Sequence, residues 1–303
     1  MDNQPLITII LTTYNRAHLI DQMLDSLLLQ SYKNWECIII DDNSKDDTSK
    51  VVSKITDKDH RFQFIIKSEE IKQGLPASRN IGIKKAEGDF LVFFDDDDIL
   101  HPQLLEICIN EFIKNKNIDF VHYQKKSFQN EFCHESIEFI DDYSCETLNE
   151  NVYENVIIGK LPLASCTVMW KINLLQNNLF NENLMYAEEW ECYSRILISN
   201  LNIRGLNVKI PLYFNRKHIE SNTGEFWSNN PIRLESYKLA HQLTCEFLLI
   251  HKKMSTQLAH YFIQKAYQLK SKKITKVLLS KYLKYKFYSL FFPIKYKFYK
   301  LQK

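Results

Sequence analysis

Phe90-Leu-Val-Phe-Phe-Asp-Asp-Asp-Asp-Ile-Leu100 runs five apolar residues straight into four carboxylates. An unbroken apolar run of this length reads as a strand buried on both faces, as in the middle of a parallel sheet. The acids then fall at the strand's C-terminal end, where open α/β sheets bind ligands. Two charges about 5 Å apart at an effective dielectric of about 20 repel by about 3 kcal/mol, so a chain leaving a buried strand gains from a divalent cation. Side chains alternate along an extended chain, which turns Asp95 and Asp97 one way and Asp96 the other. That spacing suits one hard cation, Mg2+ or Mn2+, with coordination sites left for a phosphate. Taken alone, the acid run is equally a solvated turn before a helix opened by Pro102.

The 303 residues suffice for one large domain, or for a domain with an extension, and 45% apolar content supplies a sizeable core. Only 6 glycines are present, and neither G-x-G-x-x-G nor G-x-x-x-x-G-K-[ST] occurs, which excludes the glycine-rich phosphate loops. The seven cysteines (37, 108, 133, 145, 166, 192, 245) are scattered and form no C-x-x-C pair. They read as reduced core residues of a cytosolic protein, not as a disulfide frame or zinc site. The N-terminus lacks a basic-then-apolar signal pattern, and no apolar run approaches the length of a membrane span. The formal charge of +2 hides an asymmetry: residues 265–303 hold twelve Lys and no acid, leaving −10 on the remainder. An acidic body and a basic tail are two organisational units.

Leu6–Leu11 and Trp35–Ile40 read as buried strands and Phe62–Ile66 as a third, with Phe90 opening the fourth. Helical stretches fall at Ala17–Ser31, Asp46–Ile55, Pro76–Lys85 and Pro102–Lys114. Strand and helix thus alternate four times, which argues for βαβ units and a parallel sheet. Thr12, Asp41-Asp42 and Asp95–Asp98 end three of these strands. Strand ends of a parallel sheet lie side by side, so these groups converge, and the convergence points to a nucleotide site.

The segments Ile10-Leu-Thr-Thr-Tyr-Asn-Arg16, Ile40-Asp-Asp-Asn-Ser44, Pro76-Ala-Ser-Arg-Asn-Ile-Gly82, Phe93-Phe-Asp-Asp-Asp-Asp98 and Ala187-Glu-Glu-Trp-Glu-Cys-Tyr-Ser-Arg195 resemble, in order and spacing, the family 2 glycosyltransferases of GT-A fold. The resemblance covers roughly residues 5–220. It implies an α/β, Rossmann-like, mostly parallel central sheet flanked by helices. Residues 1–118 would form the nucleotide-sugar-binding half and 119–224 the acceptor-binding half of one domain, followed by a helical, basic, aromatic-rich extension over 225–303. It also implies that Asp42 accepts a hydrogen bond from the base, with Thr12, Tyr14 and Asp41 completing the base and ribose pocket and Arg79 near the nucleotide. Asp95 and Asp97 match the family's D-x-D. Asp97 would contact the metal, Asp95 the ribose or metal, and Asp96 the nucleotide, while Asp98 caps the Pro102 helix or orients a ligand. Arg216, His218 and Ser221 are candidates for the diphosphate, His218 also for the metal, against the plainer reading of a surface loop.

Inverting transfer needs a carboxylate to take the acceptor hydroxyl's proton. By resemblance that acid is the second of the Glu188-Glu189 pair. Glu189 is therefore preferred and Glu188 kept as the alternative, since the family often has Glu-Asp here. Two acids at a helix N-terminus are also favourable without any catalytic role. A calcium loop starting at Asp41 is disfavoured, because Lys45 stands at its third ligand position and no Gly at the sixth.

The expected activity is metal-dependent (Mn2+ or Mg2+), inverting transfer from a nucleotide sugar, a UDP-sugar by resemblance. The acceptor would be a hydroxyl of a glycan or lipid-linked precursor in bacterial surface polysaccharide synthesis. A non-catalytic sugar-nucleotide-binding or scaffold protein is the alternative. A metal-dependent phosphotransferase fits less well, because the acids follow the fourth strand, not the first. Lysines interleaved with ten aromatics in the tail suit an anionic membrane surface, which would make the protein cytoplasmic and peripheral on the inner face of the membrane. Nucleic acid is disfavoured by the acidic body, and a packed helix pair remains the plain alternative.

Overall fold

The computed structural model describes residues 4–129, 131–132, 137–217 and 222–279. Two compact units emerge, the first from residues 1–150, 163–182 and 202–224, the second from 151–162, 183–201 and 225–303.

The first unit is built on a nine-stranded sheet. Its N-terminal half contains β1 (Ile7–Thr13), α1 (Ile20–Leu28), β2 (Trp35–Asp41), α2 (Thr48–Thr56), β3 (Phe62–Ile66), α3 (Leu75–Lys85), β4 (Phe90–Asp95), β5 (Ile99–Leu100) and α4 (Leu104–Lys114). The strands β3, β2, β1 and β4 lie side by side in parallel. Every residue of β1 is buried, and Leu91–Phe94 of β4 are at most 1% exposed. Fully burying each such side chain contributes about 1.5–3 kcal/mol relative to exposure, so strand register is strongly specified. That register sets Thr12 opposite Asp95 and Thr13 opposite Asp41.

Beyond β4 the sheet turns mixed. β4 pairs antiparallel with β8 (Val168–Lys171), β8 antiparallel with β6 (Phe120–Phe128), and β6 parallel with β9 (Gly205–Arg216). Both β5 and β7 (Cys145–Leu148) add antiparallel to β9. α6 (Ile172–Gln176) follows β8. β9 carries Pro211, which cannot donate to a ladder. It is tolerated because register shifts occur on either side of Gln124, its partner on β6.

α1 starts later than the Ala17–Ser31 periodicity suggests. The N–H groups of Arg16 and Ala17 donate to Thr48 Oγ1 (3.0 Å) and Asp46 Oδ2 (3.1 Å) of the neighbouring loop, and residues 16–19 form a turn instead.

The second unit is helical: α5 (Val152–Ile157), α7 (Glu188–Ser199), α9 (Pro231–Ile250), α10 (Thr256–Gln268) and α11 (Lys272–Val277); the break after Gly224 falls inside the short α8 (Asn222–Trp227). Its core joins Ile157 and Ile198 to Leu248, Leu258, Phe262, Ile274 and Leu278. Side chains of Asn230, Ser255 and Ser271 cap the last three helices by accepting N–H groups of the first turn. The basic stretch that starts at Lys265 therefore begins as packed helix, with Ala266 and Ile274 at most 1% exposed. Tail residues 280–303, with most of the aromatics, lie outside the described residues. No helix among the described residues is long and apolar enough to cross a membrane. None of the described cysteines is in a disulfide.

Candidate active site

The C-terminal ends of β1, β2, β3 and β4 bring four polar loops to one edge of the first unit. The loops after β1 and β2 are stitched together. Asn15 and Asn43 adopt φ of 53° and 65°, a left-handed conformation that Asn tolerates better than most residues. Asn15 N–H donates to Ser44 Oγ (2.8 Å), and Lys45 N–H donates back to Asn15 Oδ1 (2.7 Å). Asp41, 1% exposed, accepts from the N–H (2.9 Å) and hydroxyl (2.6 Å) of Ser44. Its carboxylate thus shapes the turn. Thr12 is 9% and Tyr14 44% exposed at the same edge.

Asp42 is held from two sides. Its Oδ1 pairs with the ammonium of Lys67, whose side chain is 0% exposed. Its Oδ2 accepts from Gly74 N–H at 2.8 Å. Gly74 has φ 139° and ψ 152° at the start of α3, a conformation essentially restricted to glycine. Arg79, on α3, is 2% exposed. Its Nη2 donates to Ser165 Oγ (2.8 Å) and stands 3.5 Å from Asp95 Oδ1, with the guanidinium carbon 5.4 and 5.5 Å from the ring centres of Phe93 and Phe180. These contacts orient a planar, always-charged group.

The acid turn divides by alternation. Asp95 and Asp97 are half-buried, whereas Asp96 and Asp98 are 7% and 4% exposed. Burial pushes the Asp96 carboxyl up to about 7; the charge of Asp97 adds to this, and Arg16, 3.8 Å away, opposes it. Burial, then Asp97 and Asp95, likewise push Asp98 up. Asp98 does not cap the following helix. Its Oδ1 accepts from Arg216 N–H at 2.6 Å, and α4 starts at Leu104 with no side-chain cap. The reason is the β5–β9 pairing, Ile99 opposite Phe214 and Leu100 opposite Tyr213, which draws the end of β9 onto the turn. Arg216 then donates through Nε to Asp97 O (2.9 Å) and through Nη2 to Gln22 Oε1 (2.6 Å). The Tyr213 hydroxyl accepts from Asp95 N–H (3.2 Å) and bonds the Asp98 carboxylate. Arg216 thus adjoins the acids, while His218 and Ser221 lie outside the described residues.

The donor set fits a hard divalent cation. Asp95 and Asp97 offer carboxylate oxygens on the accessible side of the turn. Among the described residues no group of three or more His, Cys, Asp or Glu is placed to hold a metal ion by itself. A metal that takes one or two carboxylates and completes its sphere with phosphate and water fits this arrangement, as Mg2+ does.

In the second unit, Ala187 adopts φ 60° just before α7. Such a conformation is uncommon outside glycine and costs of order 1–3 kcal/mol. It sets the first turn of α7, where Glu188 is buried, Glu189 half-buried, and Glu191 buried in a forked pair with Arg195 (2.9 and 3.1 Å). Of the three acids, Glu189 is the accessible one.

Sequence reasoning missed Lys67 and Tyr213. Lys67 directly follows β3, a polar residue at a strand end as Asp42 is, but a lysine there reads as solvated until its partner is known. Tyr213 carried no local signal, because its role depends on the distant β5–β9 pairing.

The profile of Glycosyl transferase family 2 matches residues 8–169 of this chain. A Rickettsia felis protein known as an uncharacterized glycosyltransferase is 33% identical over 241 residues, covering 77% of this chain and 37% of that protein; the chain thus spans well under half the length of that relative. The E. coli UDP-Glc:alpha-D-GlcNAc-diphosphoundecaprenol beta-1,3-glucosyltransferase WfgD is 29% identical over 202 residues, 67% of this chain and 73% of WfgD. In fold, the chain is similar to S. aureus TarS 1-349 crystallised with UDP-GlcNAc (TM-score 0.58, 19% identity, 90% of this chain and 84% of that one). The ordered sequence segments, the sheet of the first unit that gathers four of them at one edge and the family match agree, and this chain belongs to glycosyl transferase family 2.

Proposed function

We propose that the chain is an inverting glycosyltransferase that moves a sugar from a nucleotide sugar, a UDP-sugar, to a hydroxyl of a glycan or lipid-linked acceptor in bacterial surface polysaccharide synthesis. The observation that carries it is the convergence of Asp42, Arg79, Asp95 and Asp97 at one sheet edge, with Asp42 held by Lys67 and Gly74 N–H and Arg79 held by Ser165 beside Asp95. WfgD, with a UDP-Glc donor and a diphosphoundecaprenol-linked acceptor in its name, supports both substrate classes.

Asp42 accepts the base N–H, and Thr12 and Tyr14 line the nucleoside. Arg79 orients Asp95, and Arg216 adds positive charge for the diphosphate. When a divalent cation is bound, held by Asp95 and Asp97, it neutralises charge developing on the leaving nucleotide. Glu189 takes the proton from the acceptor hydroxyl as its oxygen bonds to the anomeric carbon; the bond from that carbon to the diphosphate oxygen breaks, and the nucleoside diphosphate leaves. Attack from the face opposite the leaving group inverts the anomeric centre. The basic tail holds the protein to an anionic membrane on the cytoplasmic side, near a lipid-linked acceptor.

A thermal-shift screen of nucleotide sugars with and without Mn2+ tests the donor class, since a ligand specific to the folded state raises its stability. A metal-dependent rise with UDP-sugars is expected. No rise with any nucleotide sugar contradicts the reading. Slow UDP-sugar hydrolysis without acceptor separates an enzyme from a binding module, which shows none.

A further inference from the structure

Lys67 is among the largest fully buried side chains of the molecule. Lysine is almost never buried so completely unless paired. It is placed by the sheet itself: its N–H extends the β2–β3 ladder by donating to Asp41 O (2.9 Å). Its ammonium has three N–H groups and three partners: the Asp42 carboxylate, Lys72 O at 2.9 Å and Ser78 Oγ at 3.4 Å. No donor is left to reach a ligand. Asp42 differs, because its side chain is 11% exposed. Lys67 and Gly74 N–H take one direction on each of its oxygens; Oδ1 is buried, and Oδ2 keeps further acceptor capacity.

A carboxylate held this way is an acceptor only. Uracil and guanine carry a ring N–H on the edge that pairs with another base. Cytosine and adenine present an unprotonated ring nitrogen at that position and so meet Asp42 acceptor to acceptor. We propose that Lys67 is a positioning residue that aims Asp42 as an acceptor, so that the pocket takes uridine or guanosine diphosphates and rejects cytidine and adenosine diphosphates. The proposal rests on the reading of Asp42 as the base contact.

The same contacts explain why Lys67 acts through Asp42 and not by itself. Its second partner, Lys72 O, lies in the loop that leads to Gly74, so a single ammonium ties the base-facing carboxylate to the backbone that supplies its second hydrogen bond. Removing the ammonium leaves a buried carboxylate with one backbone donor and a loop with one tether fewer.

The test measures binding of UDP, GDP, CDP and ADP by calorimetry, with Mn2+, to the full chain and to its Asp42→Asn, Lys67→Met and doubly substituted forms. In the unsubstituted protein UDP or GDP should bind at least about tenfold more tightly than CDP and ADP. A hydrogen bond to a charged group is worth about 10–100-fold in affinity, so Asp42→Asn should lose that much and most of the discrimination. Lys67→Met should lose a similar factor, yet add less than about twofold in the Asp42→Asn background, because residues acting through one contact are not additive. KM for the donor should rise in Lys67→Met with kcat nearly unchanged.

If Lys67→Met alone does not fold, the double form, which swaps a buried ion pair for neutral groups, is compared with Asp42→Asn: equal affinities support the proposal, and a further tenfold loss overturns it. Unchanged binding and selectivity in Asp42→Asn refutes the base-contact reading itself. Weakened binding in Asp42→Asn with an unaffected Lys67→Met refutes only the role of Lys67.

Discussion

His241 should make the helical unit acid-sensitive. Its side chain is 1% exposed, stacked on Trp190 with centroids 4.4 Å apart. Nδ1 stands 2.8 Å from Tyr237 O; a carbonyl only accepts, so Nδ1 carries the hydrogen. Nε2, 3.0 Å from the Tyr261 hydroxyl, then accepts. Both nitrogens are satisfied in the neutral ring. Burial lowers the imidazole pKa to about 3; the Tyr237 carbonyl opposes the shift and the Lys265 charge reinforces it. An unfolded His titrates near 6.5. Between those values the unfolded chain binds a proton that the folded chain does not. The stability due to neutral His241 is therefore complete above about pH 6.5 and is lost as the pH falls. The slope is about 1.4 kcal/mol per pH unit, or about 2 kcal/mol lost by pH 5. The assay is urea unfolding followed by tryptophan fluorescence from pH 8 to pH 5, on the full chain and on His241→Gln. Glutamine can donate to Tyr237 O and accept from Tyr261 but does not titrate. The stability difference between the two should shift by about 2 kcal/mol in favour of the variant across that range. A difference that stays constant with pH would refute the reasoning.

Four further outcomes are expected. Glu189→Gln should lower kcat by about 10²–10⁴-fold while nucleotide binding persists, as steady-state kinetics with calorimetry will show; a large loss in Glu188→Gln instead moves the base by one residue. Asp97→Asn should abolish turnover and weaken the metal dependence of UDP binding, and full activity in that variant, or of the unsubstituted protein in excess EDTA, would contradict the metal role. Gly205→Ala should destabilise the first unit by about 1–3 kcal/mol in urea titrations, because a Cβ there overlaps the buried Phe120 ring. Removing residues 280–303, a cut that spares the buried Ile274 and Leu278, should release the protein from anionic liposomes at low salt; equal sedimentation with neutral and anionic vesicles, or none with either, argues against a membrane role.

The parallel half of the sheet was legible because its strands are long, apolar and separated by amphipathic helices. β1, β2, β3 and β4 stand where hydrophobic runs placed them, and the alternation of Asp95 and Asp97 against Asp96 and Asp98 followed from strand geometry alone. The mixed half was legible only at Ile210–Asn215, which reads as strand and forms the end of β9. β7 and β8 are four residues each, too short for a periodic signal, and β9 contains a proline that argues against a central strand until the irregular register beside it is seen. The positions of Arg216 and Tyr213 beside the acid turn depend on pairing across more than 100 residues, which no local pattern encodes. Lys67 was hidden by its residue type, since a lysine after a strand reads as solvated unless its partner is known. Asp41 and Asp42 are adjacent and alike in sequence, yet one shapes a turn and the other faces a lysine; only the contacts separate them.

The central claim is transfer of a sugar from a nucleotide donor with inversion. The most direct measurement incubates the full chain with Mn2+, a panel of α-linked UDP-hexoses and UDP-N-acetylhexosamines, and a synthetic acceptor bearing N-acetylglucosamine on a lipid diphosphate. Products are read by mass spectrometry and proton NMR. The account predicts an acceptor heavier by one sugar, β-linked at the new anomeric carbon, with release of UDP and loss of product in Asp97→Asn. An α-linked product would contradict inversion. Cleavage of a UDP-sugar that persists undiminished in Asp97→Asn, with the acceptor unchanged, would contradict the assigned site and the transfer alike.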